Sequence, residues 1–150
     1  MIAEQQLGKA LSVGVVILTL VSASFAAEFK TIDTPQLHSM VVDNAYQTEA
    51  GRKMQFAIID ARPREEYDQV HLFGAISIPE INFDASFYQL PPDKNVLLVV
   101  YANSIESGAG KRWAEKAGSS GYTNIAIYKD SLSVWIDKHL PVLPISGTRR

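Results

Sequence analysis

The chain has 150 residues, 47% of them apolar and 20% charged, which suits one folded domain with a sizeable core and excludes a polar disordered tail. The formal net charge is −2 and Lys and Arg form no block, so recognition of nucleic acid by phosphate neutralisation is not expected. Cysteine is absent, which removes disulfides, cysteine-ligated metals and thiol nucleophiles together.

Residues 10–27 carry no charge and hold a compact apolar stretch from Leu11 to Val21, preceded by Lys9. Ser24 and Ala26 supply small side chains at the −3 and −1 places of a cut after Ala26, the layout of a secretory signal peptide. A run of this length also just suffices to span a bilayer as an uncleaved anchor. Being apolar on every face, it does not read as an amphipathic helix of the domain. The expected division is a signal peptide or retained anchor over 1–26 and a folded domain over 27–150. Both readings place the domain outside the cytoplasm, secreted or periplasmic after cleavage and membrane-anchored without it. The membrane is a partner only in the second case.

Beyond that segment, residues 56–60 form a short apolar run closed by Asp60, the pattern of a buried strand. Pro63 followed by Glu65 and Glu66 suits a helix start, because proline fits the first turn and carboxylates favour its positive end. Residues 75–78 read as a second strand stopped by Pro79. Residues 96–101 are six apolar positions without alternation, as expected for a strand covered on both faces of a parallel sheet. A helix is predicted over 108–118, a turn at Gly121, and a further strand over 124–128. Asp130 or Ser131 then caps a last helix through Lys138, with Leu132 and Trp135 inward. Strands alternating with helices define an α/β domain with a mainly parallel sheet, and its sites lie beyond the carboxyl ends of the strands. The segment after Tyr101 is therefore the candidate site.

Other constellations read as structural. His38, His71 and His139 lack ligand spacing, and no metal site or cofactor is expected. Asp60, Glu65, Glu66 and Asp68 read as a strand-end carboxylate held by backbone or Arg62, plus a solvated helix face. An ion pair between Arg62 and Glu66 is the simplest role for that arginine. Lys111 and Arg112 oppose the helix dipole in the first turn, which points mildly to a use such as attracting an anion, while solvated surface charges are the simpler reading. Phe83, Phe87 and Tyr88 read as core or lid packing.

Several segments resemble one family in order. Asp60-Ala61-Arg62 is similar to the strand-ending D-x-R of rhodanese domains, and Glu66-Tyr67 to the E-Y that follows. Residues 70–76, Val-His-Leu-Phe-Gly-Ala-Ile, resemble G-H-I-P-G-A-I, with Val70 and Phe73 in place of Gly and Pro. Gly121-Tyr122-Thr123-Asn124-Ile125 resembles G-Y-x-N-V. Lys129 to Leu132 before Trp135 stands where the family has two glycines, and Leu140-Pro141-Val142 matches its L-P-V close. The resemblance spans about residues 31–142. It implies a single rhodanese-type α/β domain whose mainly parallel central sheet has helices on both faces.

In that family a cysteine thiolate at the end of the central strand carries sulfur as a persulfide, cradled by loop amides and the next helix's positive end. The resemblance puts Ala102 at that position, where it is inert. It also implies an anion-binding loop of Asn103, Ser104, Ile105, Glu106, Ser107 and Gly108, supported by Asp60, Arg62 and Lys111. Ser104 and Ser107 lack an adjacent base and cannot store sulfur as a persulfide, so they read as satisfying loop amides or capping the helix. The expected function is a catalytically inactive rhodanese-like domain that binds a small anion in the 102–108 loop, or a protein partner over that edge. The alternative is a sulfurtransferase in which the cysteine at 102 has been replaced. Ser107, five places on, stands where some relatives carry a second cysteine. The departures at Val70, Phe73 and Ser131 have no bearing on thiol chemistry and favour a natural inactive homologue.

The N-terminal segment makes the first prediction. Intact-mass analysis of protein recovered from fractionated cells should place the mature N-terminus at or near Ala27 in an exported fraction. An intact N-terminus in the soluble cytoplasmic fraction would contradict it.

Overall fold

The computed structural model describes residues 28–49 and 56–144, the side chains of 44–49 excepted. The apolar segment 10–27 lies outside the described residues. Among the described residues, no helix is long and apolar enough to cross a membrane.

The elements run β1 (Lys30–Ile32), α1 (Thr34–Glu49), β2 (Phe56–Asp60), α2 (Arg64–Gln69), β3 (His71–Leu72), β4 (Ile76–Ser77), α3 (Phe83–Ser86), β5 (Leu97–Tyr101), α4 (Ala109–Ser119), β6 (Ile125–Tyr128), α5 (Leu132–Asp137) and β7 (Val142–Leu143). Five strands form a parallel sheet in the order β1-β6-β5-β2-β4. β5 sits at its centre, as its unbroken apolar run requires. Strands β3 and β7 form a separate antiparallel pair, His71 opposite Leu143 and Leu72 opposite Val142.

Side chains alternate across the sheet, and the two sets face two cores. Ala57 and Ile59 of β2, Leu98 and Val100 of β5, and Ile125 and Ile127 of β6 pack against Trp113, Ala114 and Ala117 of α4, with Phe83. Phe56 and Ile58, Val99 and Tyr101, and Ala126 and Tyr128 pack on the opposite face against Leu37 of α1 and Leu132 and Trp135 of α5. The helices thus cover both faces, and the strands must be apolar throughout. Gly110 faces β6, where a side-chain carbon would just touch Ile127 Cγ2 at 3.4 Å.

Local chemistry sets the boundaries. Asp33 Oδ1 accepts from the Gln36 amide at 3.0 Å while Gln36 Oε1 accepts from the Asp33 amide at 2.9 Å, a reciprocal cap that starts α1. Asp130 does not cap α5. Its carboxylate accepts from the Thr34 amide and hydroxyl at 2.8 and 2.7 Å, so it serves α1 across the sheet instead. Ser131 precedes α5 but makes no side-chain cap bond, and its hydroxyl meets Ser133 at 2.6 Å. Of the three aromatics read as packing, Phe83 is core and Phe87 packs against it, whereas Tyr88 is 81% exposed. Tyr88 faces outward because residues 83, 87 and 90 are the positions of that segment turned to the core.

Candidate functional site

Parallel pairing of β2 and β5 brings Asp60 opposite Tyr101 at the carboxyl ends of both strands. Both side chains fall on the same face and are fully buried. The Tyr101 hydroxyl donates to Asp60 Oδ2 at 2.5 Å and accepts from the Leu72 amide at 3.1 Å. Arg62, 6% exposed, closes the cluster. Its Nε donates to Asp60 Oδ1 at 3.0 Å, its Nη2 to Oδ2 at 2.6 Å, and its backbone amide to Oδ1 at 2.9 Å. The same Nη2 donates to the Val70 carbonyl at 2.6 Å.

This network ties β2, β5 and the start of β3 together beneath the loop. Burial by itself would lower the Arg62 pKa, but the hydrogen bonds and charge of Asp60 more than offset it, and the guanidinium is held above its ordinary range. Burial first, and the Asp60 charge second, push the Tyr101 phenol well upward, so it stays a neutral donor. Arg62 does reach Glu66, at 3.7 Å, but its main partner is Asp60, because the two-residue spacing at the strand end folds the guanidinium back onto the carboxylate.

Ala102 follows Tyr101 directly and is buried, 6% exposed, where the loop begins. Asn103, Ile105, Glu106 and Ser107 are exposed and Ser104 is half-buried. The Ser107 hydroxyl donates to the Ser104 carbonyl at 2.7 Å and accepts from the Ala109 amide at 3.3 Å. The Gly108 amide donates to the Ile105 carbonyl at 3.2 Å. The amides of Asn103 to Ser107 meet no protein acceptor among the described residues. They are five neutral donors in one continuous stretch of chain.

Gly108 begins α4 with φ +69°, a conformation that glycine adopts without penalty. Arg112 lies over it, and a side-chain carbon at 108 would stand 3.0 Å from Arg112 Nη1. Arg112 Nη1 donates to the Ser107 carbonyl at 3.2 Å and Nε to Glu80 Oε2 at 3.3 Å. Lys116 reaches the other oxygen of Glu80 at 3.0 Å and its carbonyl at 2.8 Å. Lys116, then Arg112, hold the Glu80 pKa below its usual value. Lys111, expected to support the loop, is exposed and stands 4.0 Å from Glu115, one helical turn on. Arg112 is the first-turn cation that touches the loop. Across the loop, Asn103 Nδ2 donates to Glu66 Oε1 at 3.3 Å.

Around the loop Asp60, Glu66, Glu80, Glu106 and Glu115 outnumber Arg62, Lys111, Arg112 and Lys116 by one. Glu80 is shared by Arg112 and Lys116, Arg62 faces both Asp60 and Glu66, and Lys111 stands beside Glu115, so each cation has a carboxylate neighbour. Among the described residues, no group of His, Asp and Glu is arranged to hold a metal ion.

Tyr101 and Glu80 were not visible as site residues in the sequence. A tyrosine closing an apolar strand is a weak signal that a polar partner waits at the strand end, and nothing local marks Glu80. The sequence did place Asp60, Arg62 and residues 102–108 at the same sheet edge.

Residues 41–138 match the Rhodanese-like domain family, and the chain belongs to it. Among curated proteins no relative matches this sequence. Similar solved structures include the Alr3790 protein from Anabaena sp., with 23% identity over 77% of this chain and 94% of that one, at a TM-score of 0.57. A full-length protein from Lactobacillus plantarum has 23% identity over 75% and 85% of the two chains, TM-score 0.58. A rhodanese-related protein from Thermoplasma volcanium has 16% identity over 77% and 98%, TM-score 0.58. At these identities the likeness concerns the fold.

Two predictions come from the network and its neighbour. Arg62→Ala leaves Asp60 buried without its countercharge and should cost about 3–5 kcal/mol in urea unfolding. Tyr101→Phe, which keeps the ring, should cost about 1–3 kcal/mol through the unpaired Leu72 amide and the loss of one of the donors to Asp60 Oδ2, which keeps Arg62. Equal stability of both variants and the parent would refute the network's role. For Glu80, a lowered folded pKa means stability that is present above the unfolded value, about 4.3, and lost as pH falls through the folded one. Glu80→Gln should therefore lower stability at neutral pH and flatten the acid side of the stability–pH curve. An unchanged acid limb in parallel melts would count against this assignment.

Proposed function

We propose that this protein is a non-catalytic rhodanese-like domain exported from the cytoplasm, which uses the 102–108 loop to bind a small, singly charged anion such as a carboxylate. The observation that carries this reading is the run of amides from Asn103 to Ser107 without protein acceptors among the described residues, directly after the buried Ala102. Backbone N–H groups beside a helix start favour an anionic acceptor. A chain without cysteine has no sulfur nucleophile, and alanine has no ionisable atom to hold a transferred group. Export rests on the N-terminal apolar segment and its small-residue end.

The charge balance around the loop supports a monoanion over a dianion. Glu106 stands in the loop itself and Glu66 is hydrogen-bonded to Asn103, so a second negative charge on the ligand meets added repulsion. A carboxylate is also a chemical group that a partner protein presents, which joins small-anion and protein recognition in one site.

Titration of the ¹⁵N-labelled protein with sodium acetate and, separately, sodium thiosulfate tests this. Acetate should shift the amide resonances of residues 103–107 selectively, and Glu106→Gln should strengthen the thiosulfate response. Loop amides that respond to neither salt, in the parent and the variant, would overturn the anion reading.

Ala102→Cys tests whether the loop still favours negative charge at position 102. The introduced thiol should alkylate with an apparent pKa below the free-cysteine value of about 8.5, with Glu106 limiting the shift. The parent should give thiocyanate from thiosulfate and cyanide only at background. A thiol titrating at or above the free value would show that the loop has lost its preference for an anion.

A further inference from the structure

We draw no further inference here: the strongest candidate, the apolar groove between the β3 turn and the end of α5 lined by Val70, Phe73, Ile136, Leu140, Val142 and Leu143, carries nothing because no feature of the described residues shows what covers it.

Discussion

A carboxylate at the end of a central strand, buried to zero exposure, is the constraint on which this fold's functional edge depends. Asp60 is tolerable there only because every neighbour supplies a donor: the Arg62 guanidinium and amide, and the Tyr101 hydroxyl. An ionised group without such partners would cost several kcal/mol of desolvation, roughly the net stability of a small domain. Each partner is used twice. Arg62 also holds the Val70 carbonyl, and Tyr101 also accepts from the Leu72 amide. The link after α2 is thereby fastened to the tip of β5, and Ala102 is set at a defined place immediately beyond it.

Ala102 stands directly after Tyr101, at the carboxyl end of the central strand. Donors around a strand end stabilise a buried anionic sulfur when a cysteine is there. With a methyl group instead, no internal anion needs compensation, and the amides of Asn103 to Ser107 meet no protein acceptor among the described residues. Arg112 is engaged by Glu80 and the Ser107 carbonyl, while Lys111 points along the helix toward Glu115. Glycine suits position 108 because its backbone is left-handed there, and Arg112 lies close over it.

Strands with both faces covered announce themselves as unbroken apolar runs, which is why β2 and β5 were legible and why the sheet was read as parallel. The helix after the loop was legible for a related reason, since a glycine opens it and its inward residues recur at helical spacing. Elements that depend on distant partners were not. β1 contributes only three residues, two of them exposed, and exists because β6 lies beside it. β3 and β7 have two residues each and are strands only through one another. Helix α1 has a mixed, weakly patterned sequence, and its start is set partly by Asp130, nearly a hundred positions away.

The sequence by itself determined the α/β class, the family, the position of the loop and the absence of any thiol, because those properties reside in local apolar patterns, short motifs and composition. Tertiary structure alone decided which charges matter to the loop. Lys111 and Arg112 are adjacent in sequence, yet a helix turns neighbouring side chains about 100° apart, so one meets Glu115 in water and the other crosses the loop to Glu80. The same holds for Asp60, whose obvious partner Arg62 is two residues away while Tyr101 arrives by strand register across forty-one. Spacing along the chain reveals the first kind of contact. The second kind exists only once β2 and β5 are paired.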